Sequence, residues 1–483
     1  MAPSEPVSPT DEGNGASAVW LHFFCGHPQF LRLWSAHTAT AFGQAITTVA
    51  LPLTAITVLH ASPFEMGLLS TLTLLPQLLL GLFVGVWLDR VSRRRALIAA
   101  NVLRAAVLVT IPTLAALHLL YTGPLLAAAF ALGVFILVAD VADLSMLPDL
   151  VEGEGLVRAN SATVFSLSLA NSTGPSVAGA LAQGIGAPFA LTVNGFLALV
   201  AAAFGLSVQE PPRPARPDAA AGTSLRAVRA EVTEGVRELF RTRTVRALAG
   251  SATIGAFAGS LQAPLLVLYF VRSLHLSSLL VGVAITASGA ASVLGALLGP
   301  RVTARLGLGP TYVLGQAAVC VGGFTIAAIG GPGLTAVLLV ALGQLMVGLG
   351  TPLYAIQQRA IRQALTPGAL MGRVQASWRF FVYGAQAIGA ILGGALATAV
   401  GLRTAIAVSA SLMLTAVCYT VASPSAVWPP SPTLQSNTSS STPASRRRVR
   451  VRAHLQSPVQ AAVQRPGVTR SGPSDNQPIV GPG

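Results

Sequence analysis

The chain contains no lysine: all thirty of its basic residues are arginine. That absence excludes a lysine-bearing phosphate loop and a lysine Schiff base. Charged residues of both signs make up only 10% of the sequence, against about a quarter in an ordinary soluble domain. Cys25, Cys320 and Cys418 lie far apart with no metal-ligand spacing, so free thiols are expected rather than a disulfide framework or a metal site. No His-Glu-x-x-His, no Gly-x-Ser-x-Gly and no carboxylate pair at a plausible spacing occurs, so neither an enzyme nor a bound cofactor is expected. The opening residues are polar or mixed and lack the charged start and apolar core of a cleavable signal peptide. The first apolar stretch is therefore expected to remain as an uncleaved helix.

What the chain has is apolar length. Over 483 residues it is 53% hydrophobic, with a mean hydropathy of +0.67. Crossing a bilayer takes about 20 apolar residues per helix. Twelve such stretches can be placed: 33–59, 65–88, 96–118, 123–147, 160–184 and 187–208, then 247–271, 278–299, 310–330, 333–356, 374–399 and 401–423. Backbone polar groups inside lipid must satisfy one another, so all twelve are read as helices of an all-α membrane protein.

The connections 89–95, 148–159, 209–246, 300–309 and 357–373 hold most of the arginine, whereas the alternate connections offer little beyond Arg272 and Arg403. The positive-inside rule then places both termini in the cytoplasm of a multi-pass cell-membrane protein. The net charge of +14 is thus read as orientation, and no nucleic-acid partner is expected. The remaining basic run, Arg446 to Arg452, fits anionic lipid heads or a solvated tail.

An internal repeat organises the chain. Leu59-His60-Ala61-Ser62 and Gly67 recur as Leu274-His275-Leu276-Ser277 and Gly282, an offset of 215 residues. The same offset carries Arg90 to Arg305, Arg158 to Arg373, Gly174 to Gly389, and Gly179-Ala180-Leu181 to Gly394-Ala395-Leu396. The expected organisation is a cytoplasmic N-terminal tail (1–30), a first six-helix half (31–208), a cytoplasmic linker (209–246), a second half (247–423) and a disordered cytoplasmic tail (424–483). Within the linker, Leu225, Val228, Val232, Val236 and Leu239 recur at three or four residues, predicting an amphipathic helix on the membrane surface. Parallel six-helix halves around a midplane site are the plan of many secondary transporters.

These residues resemble a family. The paired halves, the loop Gly85-Val86-Trp87-Leu88-Asp89-Arg90-Val91-Ser92-Arg93-Arg94-Arg95, and Gly174-Pro175 with Gly179 look like the major facilitator superfamily on its exporter side. Leu147-Pro148-Asp149-Leu150-Val151 leading to Arg158-Ala159-Asn160, with Thr366-Pro367 and Gly372-Arg373-Val374, resembles its bacterial macrolide-efflux and enterobactin-exporter branch. The resemblance covers about 30–423 and is weaker in the second half, where Ala304 stands at the repeat of Asp89 and Leu308 at that of Arg93. It implies the major facilitator fold. It further implies that Gly85, Asp89, Arg90, Arg93, Arg94 and Arg95 form a cytoplasmic latch, with Asp89 contacting a second-half helix. The plainer alternative is that the loop only sets topology. Gly174, Pro175 and Gly179 are then an antiporter-type bend or ordinary small-residue packing that lets the fifth span approach a second-half helix.

Ionisable residues within the spans are few, and each is a functional candidate that should have a partner. Arg104, Asp140 and Asp143 are the candidates for coupling to an ion gradient. Arg104 and Asp140 lie at matching depths in adjacent spans, so a pair between them is expected, either fixed or opened during transport. A buried carboxylate without a partner favours its protonated form, which makes Asp140 the candidate proton carrier. Relatives often carry an acid after the glycine of the first span, but here Gln44 follows Gly43 and does not titrate. For a substrate path the sequence offers Gln44, Thr48, Asn171, Gln262, Tyr269, Gln344 and Tyr354, a set suited to neutral or amphipathic molecules. The expectation is a monomeric, ion-gradient-driven exporter of small amphipathic drugs or siderophore-like metabolites. The partners expected are the small-molecule substrate, protons or another coupling ion, and the lipid bilayer. An importer or lipid flippase on the same fold, and a non-transporting receptor or scaffold, are the alternatives.

Overall fold

The computed structural model describes residues 23–88, 90–151, 153–209, 237, 239–241, 243–366 and 370–423. Asp89, Pro367, most of the linker and the whole 424–483 segment lie outside the described residues, as does most of the 1–30 segment. The first half consists of α1 (Pro28–Thr57), α2 (Pro63–Leu79), α3 (Gly81–Leu88), α4 (Arg93–Ala116), α5 (Thr122–Leu150), α6 (Glu154–Ile185) and α7 (Ala187–Ser207). The second consists of α8 (Arg243–Arg272), α9 (Ser278–Leu306), α10 (Leu308–Ala327), α11 (Leu334–Leu365), α12 (Met371–Val400) and α13 (Leu402–Ala422).

These helices make twelve crossings, because α2 and α3 together form the second. The sequence predicts one unbroken helix there. The helix is interrupted at Leu80, whose amide still bonds the Pro76 carbonyl at 2.8 Å and which is followed by Gly81, a weak helix former. Ten of the described helices are individually long and apolar enough to cross a membrane. The others are the broken α2–α3 pair and α6, which carries Asn160, Ser161, Ser166, Ser168, Asn171 and Ser172 along its length.

Pseudo-symmetry shows in packing as well as in sequence. In the first half α1 packs on α6 and α7, α4 on α5 and α7, and α2 on α5. In the second, α8 packs on α12 and α13, α10 on α11 and α13, and α9 on α11. The repeated loops match in backbone detail. His60 and His275 both adopt positive φ, at 51° and 52°, uncommon for non-glycine residues. Ser62 caps α2 and Ser277 caps α9, each accepting from the amide three residues on. The shared histidines thus end equivalent helices.

The halves meet at two equivalent crossings, α2 on α12 and α6 on α9. A Cβ added at Gly67 would lie 3.0 Å from the Cα of Gly394, and one added at Gly179 would lie 3.0 Å from the Cα of Gly282. Only glycine permits backbones to approach so closely. One turn deeper, Thr71 donates its hydroxyl to the carbonyl of Ala387 (3.1 Å), and the Ser176 and Thr286 hydroxyls bond at 2.7 Å. Both crossings lie at the face opposite the arginine-rich loop. Of the five apolar positions named for the predicted linker helix, the described one, Leu239, is buried in the second half with Leu248, Tyr312 and Trp378.

Candidate functional site

Beneath the α6–α9 crossing a cavity of about 560 Å³ extends toward the arginine-bearing face, bounded by α1, α6, α9 and α11. Its polar wall is neutral. Ser168, Asn171 and Ser172 come from α6, Ser288 and Ser292 from α9, Gln344 and Thr351 from α11, and Thr48 from α1. Spacings of three, four and seven put each set on one helix face. The cavity therefore has the form of a ligand site, mostly apolar with a few convergent polar groups.

Of the sequence-predicted path, Thr48, Asn171 and Gln344 meet in this cavity. The other four residues are held elsewhere. Gln44 donates from Nε2 to Asp140 Oδ1 at 3.4 Å. Gln262 Oε1 accepts from the Ser409 hydroxyl at 3.5 Å. The Tyr269 hydroxyl donates to the Ile329 carbonyl at 2.8 Å, and Tyr354 sits edge-on to Tyr312 with ring centroids 6.3 Å apart. For Gln44, Gln262 and Tyr269 packing thus claims a polar group that sequence alone left available to substrate. The serines were missed, although pairs four apart on α6 and α9 carried the signal.

A second polar cluster is buried wholly inside the first half. Asp143 has a partner in His37 of α1, Nδ1 to Oδ2, at 2.6 Å. His37 had no part in the sequence reading. Its signal was spacing, since it shares a helix face with Gln44 seven residues on. The expected pair between Arg104 and Asp140 is absent. Arg104 is only 1% exposed, and Nε, Nη1 and Nη2 have no hydrogen-bond partner among the described residues. Beside Arg104 lies the gap left by Gly43. A Cβ built there would stand 3.6 Å from Arg104 Nη2 and would collide with Asn194 Oδ1. The Asn194 amide fills that gap beneath α1 with the guanidinium packed beside it, while the Asp140 carboxylate accepts from Gln44. Asn194 bonds Thr47 at 2.6 Å and leaves its Oδ1 unsatisfied.

In the basic loop, Arg93 donates from Nη1 to the Ser145 carbonyl and, at 3.1 Å, to Asp149 Oδ2. Arg94 donates to the carbonyls of Gly205 (3.2 Å) and Leu206. Both arginines thus cap C-terminal ends of first-half helices, where a cation is favoured by the helix dipole. Arg95 lends its amide to the Ser92 cap at 3.2 Å, and Arg90 is exposed. A Cβ at Gly85 would meet nothing within 4 Å. The two capping arginines therefore make these bonds within their own half. The Gly-Pro element also divides. A Cβ at Gly174 would come within 2.5 Å of Ala45 Cβ in α1, whereas Gly179 and the Pro175 carbonyl face Gly282 across the halves.

Comparison with known proteins agrees with this architecture. The profile of the Major Facilitator Superfamily matches residues 33–259 and 248–464. The chain is 28% identical over 401 residues to the multidrug efflux pump Tap of Mycolicibacterium fortuitum, covering 81% of this chain and 94% of Tap. Among solved structures it superposes on the nucleoside transporter NupG with a TM-score of 0.65 at 13% identity, covering 82% of this chain and 98% of NupG. A bacterial homologue of the iron transporter ferroportin in an inward-facing state gives a TM-score of 0.63 at 16% identity, with the same two coverages of 82% and 98%. The chain belongs to the major facilitator superfamily and has the fold of a multi-pass membrane transporter.

Proposed function

We propose that this protein exports small neutral or amphipathic molecules across the cell membrane by alternating access, driven by the proton gradient. The observation that carries the reading is the neutral, serine-lined cavity between the halves, closed beyond the glycine crossings and extending toward the arginine-bearing face. With that face in the cytoplasm, as the positive-inside rule requires, the conformation is the one that loads from inside. Both termini are then cytoplasmic. A multidrug efflux pump among the relatives supports export, while the solved structures support the fold alone.

Coupling is assigned to the first half, where the buried Asp140 and Asp143 lie with Arg104. Protonation of an acid in a buried cluster changes which partners it holds, and so shifts the balance between conformations. The latch role of Asp89 and its arginines belongs to the opposite conformation, in which the cytoplasmic ends of the halves close.

The test is accumulation of ethidium and erythromycin in cells with and without the gene, repeated with the proton gradient collapsed. Lower accumulation that disappears on collapse is expected. Equal accumulation of both compounds, or efflux indifferent to the gradient, contradicts this reading.

A further inference from the structure

We infer that His37 and Asp143 form a proton-binding site separate from the substrate cavity, and that one face of α1 connects the two. This inference rests on the coupling proposed above and names the site. The 2.6 Å contact between His37 Nδ1 and Asp143 Oδ2 fixes the chemistry. With Asp143 ionised the carboxylate only accepts, so Nδ1 carries the hydrogen, and in the neutral ring Nε2 then holds the lone pair. Nε2 is buried without a partner. A proton arriving there converts the ring to an imidazolium held against the carboxylate by the same Nδ1–Oδ2 contact, and its departure restores the neutral tautomer.

Beside this ring, outside the substrate cavity, there is room for water. A cavity of about 10 Å³ is lined by His37, Thr40, Asp140 and Asp143, and another of about 10 Å³ lies on the Trp34, Leu147 and Thr163 side of the ring. Each is the size of about one water molecule. The titratable groups around His37 are Asp140 and Asp143 of α5, with Arg104 of α4 in electrostatic range of Asp140. The neighbouring polar residues of α6 and α7, Thr163 and Asn194, do not titrate. Neither His37 nor either aspartate lines the larger cavity.

The connection is α1 itself. His37, Gln44 and Thr48 are seven and four residues apart, which places them on one helix face. His37 bonds Asp143, Gln44 bonds Asp140, and Thr48 lines the cavity, about 16 Å along the axis from His37 at 1.5 Å per residue. Charging His37 alters what Asp143 and the adjacent Asp140 hold. Asp140 in turn holds Gln44, one turn from the substrate.

The test reads protonation and transport separately in the full-length protein in liposomes. Nitrogen NMR of ¹⁵N-histidine-labelled protein, with the His37 signals assigned by their loss in His37→Gln, should show Nε2 becoming protonated between pH 5 and 9. Asp143→Asn should move that titration by a pH unit or more, while Asp143→Glu should restore it. A His37 ring that keeps one neutral tautomer across this range overturns the inference whatever the substrate. In transport, His37→Gln should lose at least tenfold in pH-gradient-driven erythromycin movement, with erythromycin exchange at equal pH kept within twofold of wild type. Gradient-driven movement within twofold of wild type, or loss of exchange in parallel, contradicts a separate proton site. Wild-type transport indifferent to the gradient would instead defeat the proposed coupling, leaving the histidine titration to judge the site.

Discussion

The two halves share a plan, and in the same region of each they bury opposite chemistry. In the second half Ser251, Tyr312, Gln316 and Thr420 form a neutral network. Gln316 donates to Ser251 at 2.8 Å and accepts from Thr420 at 3.0 Å, and Ser251 bonds Thr420 at 2.7 Å. In the first half the buried set is charged and incompletely bonded, with open valences on Arg104, Asn101, Asn194 and His37. The 215-residue offset makes the contrast specific. Gln316 corresponds to Asn101, while Val319, Ala355 and Gln358 stand where the first half has Arg104, Asp140 and Asp143. A saturated neutral network rigidifies a bundle. A buried charge without its partner costs several kcal/mol and is retained where another state repays it. Under the coupling proposed above, the difference gives the second-half network the part of a frame and the first-half cluster the groups whose bonding changes during transport.

The comparison can be broken most severely at Asp140. Asp140→Asn is expected to cut gradient-driven erythromycin transport in vesicles at least tenfold; wild-type transport would place coupling outside the first-half cluster. Arg104→Met should come next and separate function from stability. It removes an unpartnered buried charge, so the melting temperature should hold or rise while transport falls several-fold, and a large loss of stability would show that Arg104 is paired after all. Asp89→Asn should insert normally and transport poorly, because the degraded second-half loop leaves no acidic twin to share the latch. The smallest effect on coupling is expected at Gln316→Leu. It should cost about 1–3 kcal/mol in stability through unsatisfied buried partners, yet leave the pH profile of transport as in wild type.

Much of the fold was legible because its signals are local or periodic. Apolar length gives the crossings, and a constant offset through His60 and His275, Gly67 and Gly282, and Gly179 and Gly394 gives the repeat. The same offset hides the fact that Gly67 meets Gly394 rather than its own counterpart, since which copies touch is decided by packing between halves. Sites were less legible. Thr48, Asn171 and Gln344 converge as expected, but Gln44, Gln262 and Tyr269 are claimed by neighbouring helices. Arg104 and Asp140 match in depth without bonding: Asp140 is held by Gln44, and the guanidinium packs beside Gly43 and Asn194. Depth along a helix can be read from sequence; rotation about it, which decides partners, cannot be fixed by a single polar residue.

The most direct test of coupling in the first half is proton flux during erythromycin transport in liposomes, compared among wild type, Asp140→Asn and Gln316→Leu. Wild type and Gln316→Leu should move protons against the drug, and Asp140→Asn should move none. Proton flux surviving in Asp140→Asn, or lost in Gln316→Leu, would contradict the division of labour between the halves.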